Sequence, residues 1–259
     1  MLKPSPLLEK KVLVPRGEKQ AKSFSQLVKQ YGGIPIEIPL LAFRPIVKNQ
    51  CLEAVLKALD TYDWIIFTSN VAVETFFSLV PIAAVKNDPK IAVIGKKTAE
   101  IVAAKGLEVG FVPTAFVAES FVEEFTPLIK SSSRVLIPKG NLAREYIAGS
   151  LTELGAHVDE VIIYETYMPE ESRQKLARML AEKQLDILMF TSPSTVDHLM
   201  GVVQDYALEE QLKECIISCI GPSTEKKLHE YGLPVHASPK EYTVKEMIKS
   251  TITYLEHGE

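Results

Sequence analysis

The chain has 259 residues, of which 46% are apolar and 24% charged, with a net charge of −4. This is the balance of a folded globular protein, and it argues against a disordered chain or a nucleic-acid protein, which would show a basic excess. No apolar run approaches a membrane span, and the N-terminal MLKPSPLLEKK lacks the apolar core of a signal peptide, so a cytoplasmic location is expected.

In chain order, a strand is expected over 11–16, then a helix over 19–31 stopped by Gly32 and Gly33. Residues 34–40 (IPIEIPL) are extended, because two prolines exclude a helix and favour an edge or a connector. A helix over 52–59 leads to a strand over 64–67 and a helix over 71–79. A strand over 91–94, a helix over 97–105 stopped by Gly106, a short strand over 109–112 and a helix over 119–129 follow. The pattern then restarts with a strand over 134–137, a helix over 142–154, a stop at Gly155 and an extended stretch over 157–167. Strand and helix alternate again from Asp186 to Ile248, with a helical tail. Strands alternating with helices predict right-handed crossovers and parallel sheets.

Two segments, DWIIFTSN (63–70) and DILMFTSPS (186–194), read as one piece used twice. Each apolar run is too short for a helix and too continuous for a one-sided strand, which suits a strand buried on both faces of a parallel sheet. Ser69 and Ser192 then stand where a strand hands over to a helix, at the carboxyl edge where open α/β sheets bind ligands. An offset of 123 relates Asp63 to Asp186 and VLVPRG (12–17) to VLIPKG (135–140). Later it becomes 126, relating Gly95 to Gly221, Thr98 to Thr224 and Phe116 to Tyr242. So long a period marks a duplicated half rather than a solenoid. The two lobes divide either in tandem near 131–133, or by crossings at the extended stretches 34–45 and 161–169.

Chemistry-bearing motifs are few. There is no HExxH, GxSxG, Cys/His cluster or Gly-rich phosphate loop, and the five histidines have no ligand spacing. Of the three cysteines, Cys51, Cys215 and Cys219, none forms a CxxC, and the pair in ECIISCIG reads as core thiols.

DWIIFTSN, VLIPKGNLARE, VIIYET, FTSPS and IGPSTEKKLHEYG, in this order, resemble the uroporphyrinogen-III synthase family over nearly the whole chain. The resemblance implies an α/β fold of two flavodoxin-like parallel-sheet lobes joined by a two-stranded linker. Residues 1–36 and 170–259 would form the first lobe, 44–160 the second, and 37–43 and 161–169 the linker strands. It implies a monomeric lyase that closes linear hydroxymethylbilane, a tetrapyrrole polycarboxylate, with inversion of the last pyrrole ring and loss of water. No cofactor, metal, nucleic acid or membrane is implied as a partner, only the small-molecule tetrapyrrole. Such an enzyme acts mainly by holding a reactive cation in the productive shape.

A polycarboxylate bound by an acidic protein calls for helix N-termini and hydroxyls. Ser69, Thr98, Ser192, Ser194 and Thr224 occupy those positions, although capping alone also explains them. Arg16 and Lys139 correspond under the offset and each follows a proline at a strand end, where they are expected to meet substrate carboxylates; Asn141 and Arg144, in GNLARE, would add to the second lobe. Tyr164, which matches the tyrosine of the family's YxT stretch in a crossing strand, is by that resemblance the expected catalytic residue, a weak general acid for the departing hydroxyl, although a buried tyrosine of a linker strand also explains it. A non-enzymatic bilobal binding protein would share the duplicated lobes but is expected to carry a secretion signal or an output domain. A nucleotide-dependent transferase would need a Gly-rich turn, of which VLVPRG and VLIPKG are poor versions.

Overall fold

A computed structural model describes residues 6–46, 50–85 and 89–258. The chain runs β1 (Lys11–Val14), α1 (Glu18–Gln30), β2 (Ile34–Glu37), β3 (Ala42–Pro45), α2 (Gln50–Lys57), β4 (Trp64–Phe67), α3 (Asn70–Leu79), β5 (Lys90–Val93), α4 (Lys96–Ala104) and α5 (Ala118–Phe125). It continues β6 (Arg134–Gly140), α6 (Tyr146–Glu153), β7 (His157–Tyr167), α7 (Glu170–Ala181), β8 (Ile187–Phe190), α8 (Pro193–Tyr206), α9 (Glu209–Leu212), β9 (Ile216–Cys219), α10 (Pro222–Glu230) and α11 (Val244–His257).

These elements form two compact units, one of residues 1–42 and 167–259, the other of residues 43–166. The first holds a four-stranded sheet in the order β2-β1-β8-β9, the second a five-stranded sheet in the order β3-β7-β6-β4-β5. The stretches expected as linkers are therefore partly built into a sheet, since β3 and β7 are neighbouring strands of the second unit.

The sequence offsets carry the parallel registers of one unit onto those of the other. Lys11 lies opposite Ile34 and Arg134 opposite His157; Trp64 lies opposite Lys90 and Ile187 opposite Ile216. Single bridges, Ala92 to Phe111 and Ser218 to Ala237, extend each sheet by one more position. The short strand expected over 109–112 is only this bridge. The acidic residue that opens each repeated segment has a structural role. Asp63 Oδ2 accepts the amide of Arg134 at 2.8 Å, and Asp186 Oδ2 accepts that of Lys11 at 2.7 Å. Each carboxylate thus satisfies the first N–H of the neighbouring strand, a donor that would otherwise lack a ladder partner.

The continuous apolar runs are buried on both sides, as a strand between two helical layers requires. In β4, Ile65 and Phe67 face a core with Val73 and Phe76 of α3 and Val102 of α4, while Trp64 and Ile66 face Phe121 and Phe125 of α5 and Leu151 of α6. In β8, Leu188 and Phe190 pack with Leu199 and Val203 of α8, while Ile187 and Met189 meet Phe24 of α1 and Met247 and Ile248 of α11. Cys215 and Cys219 are buried free thiols, and burial pushes Cys215 up to about 11, which makes it inert as a nucleophile. The side chain of Cys51 lies outside the described residues.

Helix α6 begins at Tyr146, four residues later than the sequence periodicity suggests. Its expected first turn is diverted because the Asn141 amide donates to the Tyr164 carbonyl at 3.2 Å and that of Ala143 to the Gly140 carbonyl at 3.1 Å. Those bonds close a turn against β7 instead of opening a helix.

Candidate active site

In the second unit several of the candidate side chains lie where β4, β6 and β7 end. Ser69 has extended backbone and caps α3, its Oγ accepting the Ala72 amide at 3.1 Å. The same Oγ lies 3.3 Å from Tyr164 Oη. Tyr164 is 8% exposed, and Phe43 of β3 meets its ring edge-on at 5.8 Å between centroids. Its position is set by a register shift: Lys139 pairs with Ile162, but the next residue, Gly140, pairs with Tyr164. The extra residue in β7 leaves the tyrosine ring against Gly140, where a Cβ would lie 2.4 Å from Cε2 and 2.8 Å from Oη. Either hydroxyl can donate in this contact, and when Ser69 does so the phenol keeps its own O–H for a further acceptor.

Asn141 Oδ1 accepts the Thr166 amide at 2.8 Å, so this side chain pins the end of β7. Thr98 is buried in α4 and donates to Asn70 Oδ1 at 2.8 Å, joining the N-terminal turns of α3 and α4. Lys139 is enclosed, its side chain 7% exposed, with Nζ 2.9 Å from Glu160 and 3.7 Å from Glu145. Arg144 is exposed.

In the first unit, Ser192 stands at the N-cap of α8 with Pro193 as first helical residue, but its side chain does not cap. Its Oγ instead lies 3.2 Å from Ser194 Oγ and 3.5 Å from Thr195 Oγ1. The neighbouring Thr191 is buried, and its Oγ1 has no partner among the described residues. Arg16 donates to Gln20 Oε1 at 2.7 Å and to the Thr191 carbonyl at 3.5 Å, and burial holds its guanidinium below the usual arginine value. Thr224 is buried in the first turn of α10.

Arg16 and Lys139 are equivalents in the repeat, yet the structure gives them different surroundings. Lys139 is already held by two carboxylates, whereas Arg16 bonds to two neutral acceptors, the Gln20 side chain and the Thr191 carbonyl. The difference follows from Glu160, which pairs in the β6–β7 ladder beside Lys139, while β2, the strand equivalent to β7, carries Glu37 there and directs it to Ser25 at 2.5 Å. Thr98 and Thr224 are interior hydroxyls in the described conformation, not exposed caps. Gly140 carries no sequence signal of its role, because its repeat partner Gly17 stands in open space, with nothing within 4 Å of a Cβ built there. Among the described residues, no group of three or more His, Cys, Asp or Glu side chains could hold a metal ion, and no helix is long and apolar enough to cross a membrane.

Doubly wound parallel units whose hydroxyls, helix N-termini and an arginine gather at carboxyl strand ends define an α/β protein built to bind small molecules. The model of the family described as uroporphyrinogen-III synthase HemD matches residues 22–249. The uroporphyrinogen-III synthase of Synechococcus elongatus is 31% identical over 253 residues, covering 92% of this chain and 93% of that protein. The structure of a mutant uroporphyrinogen III synthase from Thermus thermophilus superposes with a TM-score of 0.66 at 19% identity, covering 96% of this chain and all of the other. The Helicobacter pylori uroporphyrinogen-III synthetase does so with a TM-score of 0.61 at 17% identity, covering 95% of this chain and 99% of the other. The chain belongs to the uroporphyrinogen-III synthase family.

Proposed function

We propose that this chain is a uroporphyrinogen-III synthase, a lyase of porphyrin and heme biosynthesis that closes hydroxymethylbilane with inversion of the last pyrrole ring and loss of water. The observation that carries the reading is the family match along 22–249, together with a relative of that activity aligned over 93% of its own length. The reading includes a monomer acting in the cytoplasm, the first of which sedimentation of the purified chain would check.

In this reading the chemistry is divided between one phenol and many binding groups. Loss of the terminal hydroxyl of hydroxymethylbilane leaves an azafulvene cation, and Tyr164 donates its O–H to that departing group while Ser69 steadies the phenol oxygen. Each unit offers carboxylate-binding groups of its own: Arg16, Ser192 and Ser194 in the first, and the N-terminal turn after Ser69 in the second. Thr98, Thr224, Asn141 and Lys139 support these groups through Asn70, the start of α10, the end of β7 and Glu160. Net negative charge is compatible with this role because amide dipoles and hydroxyls attract carboxylates locally.

The test is a product-isomer assay. Hydroxymethylbilane is generated in place, the protein is added, and the oxidised products are separated into uroporphyrin I and III. Isomer III rising in proportion to protein is the expected result. Isomer I alone, from protein shown to be folded, would overturn the reading in favour of a binding protein without catalysis.

A further inference from the structure

Tyr242 is 62% exposed, yet its ring is not loose in solvent. A Cβ built on Gly221 would come within 2.9 Å of Tyr242 Cδ1, 3.2 Å of Cγ and 3.3 Å of Cε1. The ring therefore leans on the backbone of Gly221, the N-cap of α10 just beyond the carboxyl end of β9. Any Cβ at 221 would crowd the ring and force it to shift.

The segment that carries the ring is also fixed. Thr243 caps α11, its Oγ1 accepting the Glu246 amide at 3.2 Å, and its own amide donates to the Glu241 carbonyl at 2.7 Å. Tyr242 precedes this cap directly, so its backbone is set before any ligand arrives. An aromatic ring that is held in place but left mostly in water gains little for the fold, because its apolar surface remains wet. It is well suited to a planar ligand, since the ordering cost is already met.

The equivalent place in the second unit shows that the arrangement is not a by-product of the repeat. Phe116 is also exposed there, at 55%, but Gly95, the counterpart of Gly221, has only Thr98 Oγ1 near its would-be Cβ, at 3.7 Å. At this equivalent place the exposed aromatic recurs, but the glycine seat does not.

We propose that Tyr242 is a positioning residue of the first unit, its Gly221-seated ring stacking on a pyrrole ring of the bound tetrapyrrole. The inference rests on the function proposed above. Stacking of one ring on another contributes to substrate binding without entering the bond changes, so its loss appears in KM more than in kcat.

The experiment compares wild type, Tyr242→Ala, Tyr242→Phe and Gly221→Ala in the isomer assay over a range of hydroxymethylbilane concentrations. Tyr242→Ala is expected to raise KM for isomer III formation about tenfold, with kcat held within about threefold. Tyr242→Phe, which keeps the ring, restores the wild-type KM. Gly221→Ala displaces the ring and raises KM, but adds nothing when combined with Tyr242→Ala. Because Tyr242 is exposed, the melting temperature of Tyr242→Ala should match wild type. Wild-type KM in a Tyr242→Ala protein that still makes isomer III would overturn the stacking role alone. Absence of isomer III from the wild type would overturn the function, and the stacking role with it.

Discussion

The ring of Tyr164 and the backbone of Gly140 occupy neighbouring space so closely that a single added methyl at 140 would fall 2.4 Å from Tyr164 Cε2. Gly140→Ala therefore has to expel the ring from its seat beside Ser69. The expected result is a loss of stability of about 1–3 kcal/mol, as for other overpacked interiors, together with a loss of activity at least as large as that of Tyr164→Phe. In a Tyr164→Ala background the same change should cost much less. Urea denaturation of the four proteins in that cycle measures the coupling, and simple additivity would show that the two residues do not constrain each other.

Tyr164→Phe removes one hydroxyl and leaves the ring on Gly140. We expect activity to fall by about a hundredfold, the lower end of what a positioned general acid contributes, with isomer III still the main product. Unchanged kcat would mean that the Tyr164 hydroxyl is merely a structural partner of Ser69. Total loss in a folded protein would mean that catalysis depends on it far more than positioning chemistry requires.

Ser69 and Ser192 are sequence equivalents with different bonds, and substitution should separate them. Ser69→Ala removes a cap from Ala72 and is expected to cost about 1 kcal/mol. Ser192 makes no side-chain cap, so Ser192→Ala should change stability by less than about 0.5 kcal/mol. Thermal melts of both variants give the comparison, and any activity lost by Ser192→Ala at unchanged stability reports a substrate contact.

Lys139→Met leaves the carboxylate of Glu160 beside an apolar neighbour. Glu160 is 23% exposed, so the cost should fall below that of a fully buried pair, at about 2 kcal/mol. Adding Glu160→Gln should recover part of it. A urea midpoint for Lys139→Met equal to wild type would show that the ion pair contributes nothing.

His198 gives the first unit a pH dependence with a defined sign. Burial holds its imidazole below the ordinary value, with Asp197 opposing and Arg173 assisting the shift. The native state therefore binds fewer protons at this site than the unfolded chain does. The stability it contributes is present above the unfolded value of about 6.5 and is lost as pH falls through the lower folded value. His198→Gln should flatten the decline in melting temperature below about pH 6.5, and a titration of the His198 ring by NMR should find its midpoint below that value. A midpoint at or above it would remove the basis of the prediction.

Much of the architecture was legible because its signals are local. WIIF and ILMF are buried on both faces in the structure as their continuous apolar character required, and helices α1 and α6 are followed by Gly32 and Gly155 with φ of 85° and 90°, a conformation that suits glycine. The matching offsets located corresponding strands without any knowledge of their pairing. Candidate hydroxyls could be placed at strand ends by counting, but not sorted into exposed and interior. Thr98 and Thr224 lie in the first turns of their helices, where sequence reads a possible cap; only packing shows that both face inward.

The sequence by itself determined the alternation of strands and helices, the repeat, and the set of polar residues carried to the strand ends, since each depends on spacing along the chain. The tertiary structure alone decided which of those residues meet. Tyr164 reaches Ser69 across 95 positions because of a one-residue shift between β6 and β7, and Lys139 is neutralised by a glutamate on the adjacent strand. Register and cross-strand pairing are properties of two segments at once, and a one-residue change in register re-aims every side chain beyond it.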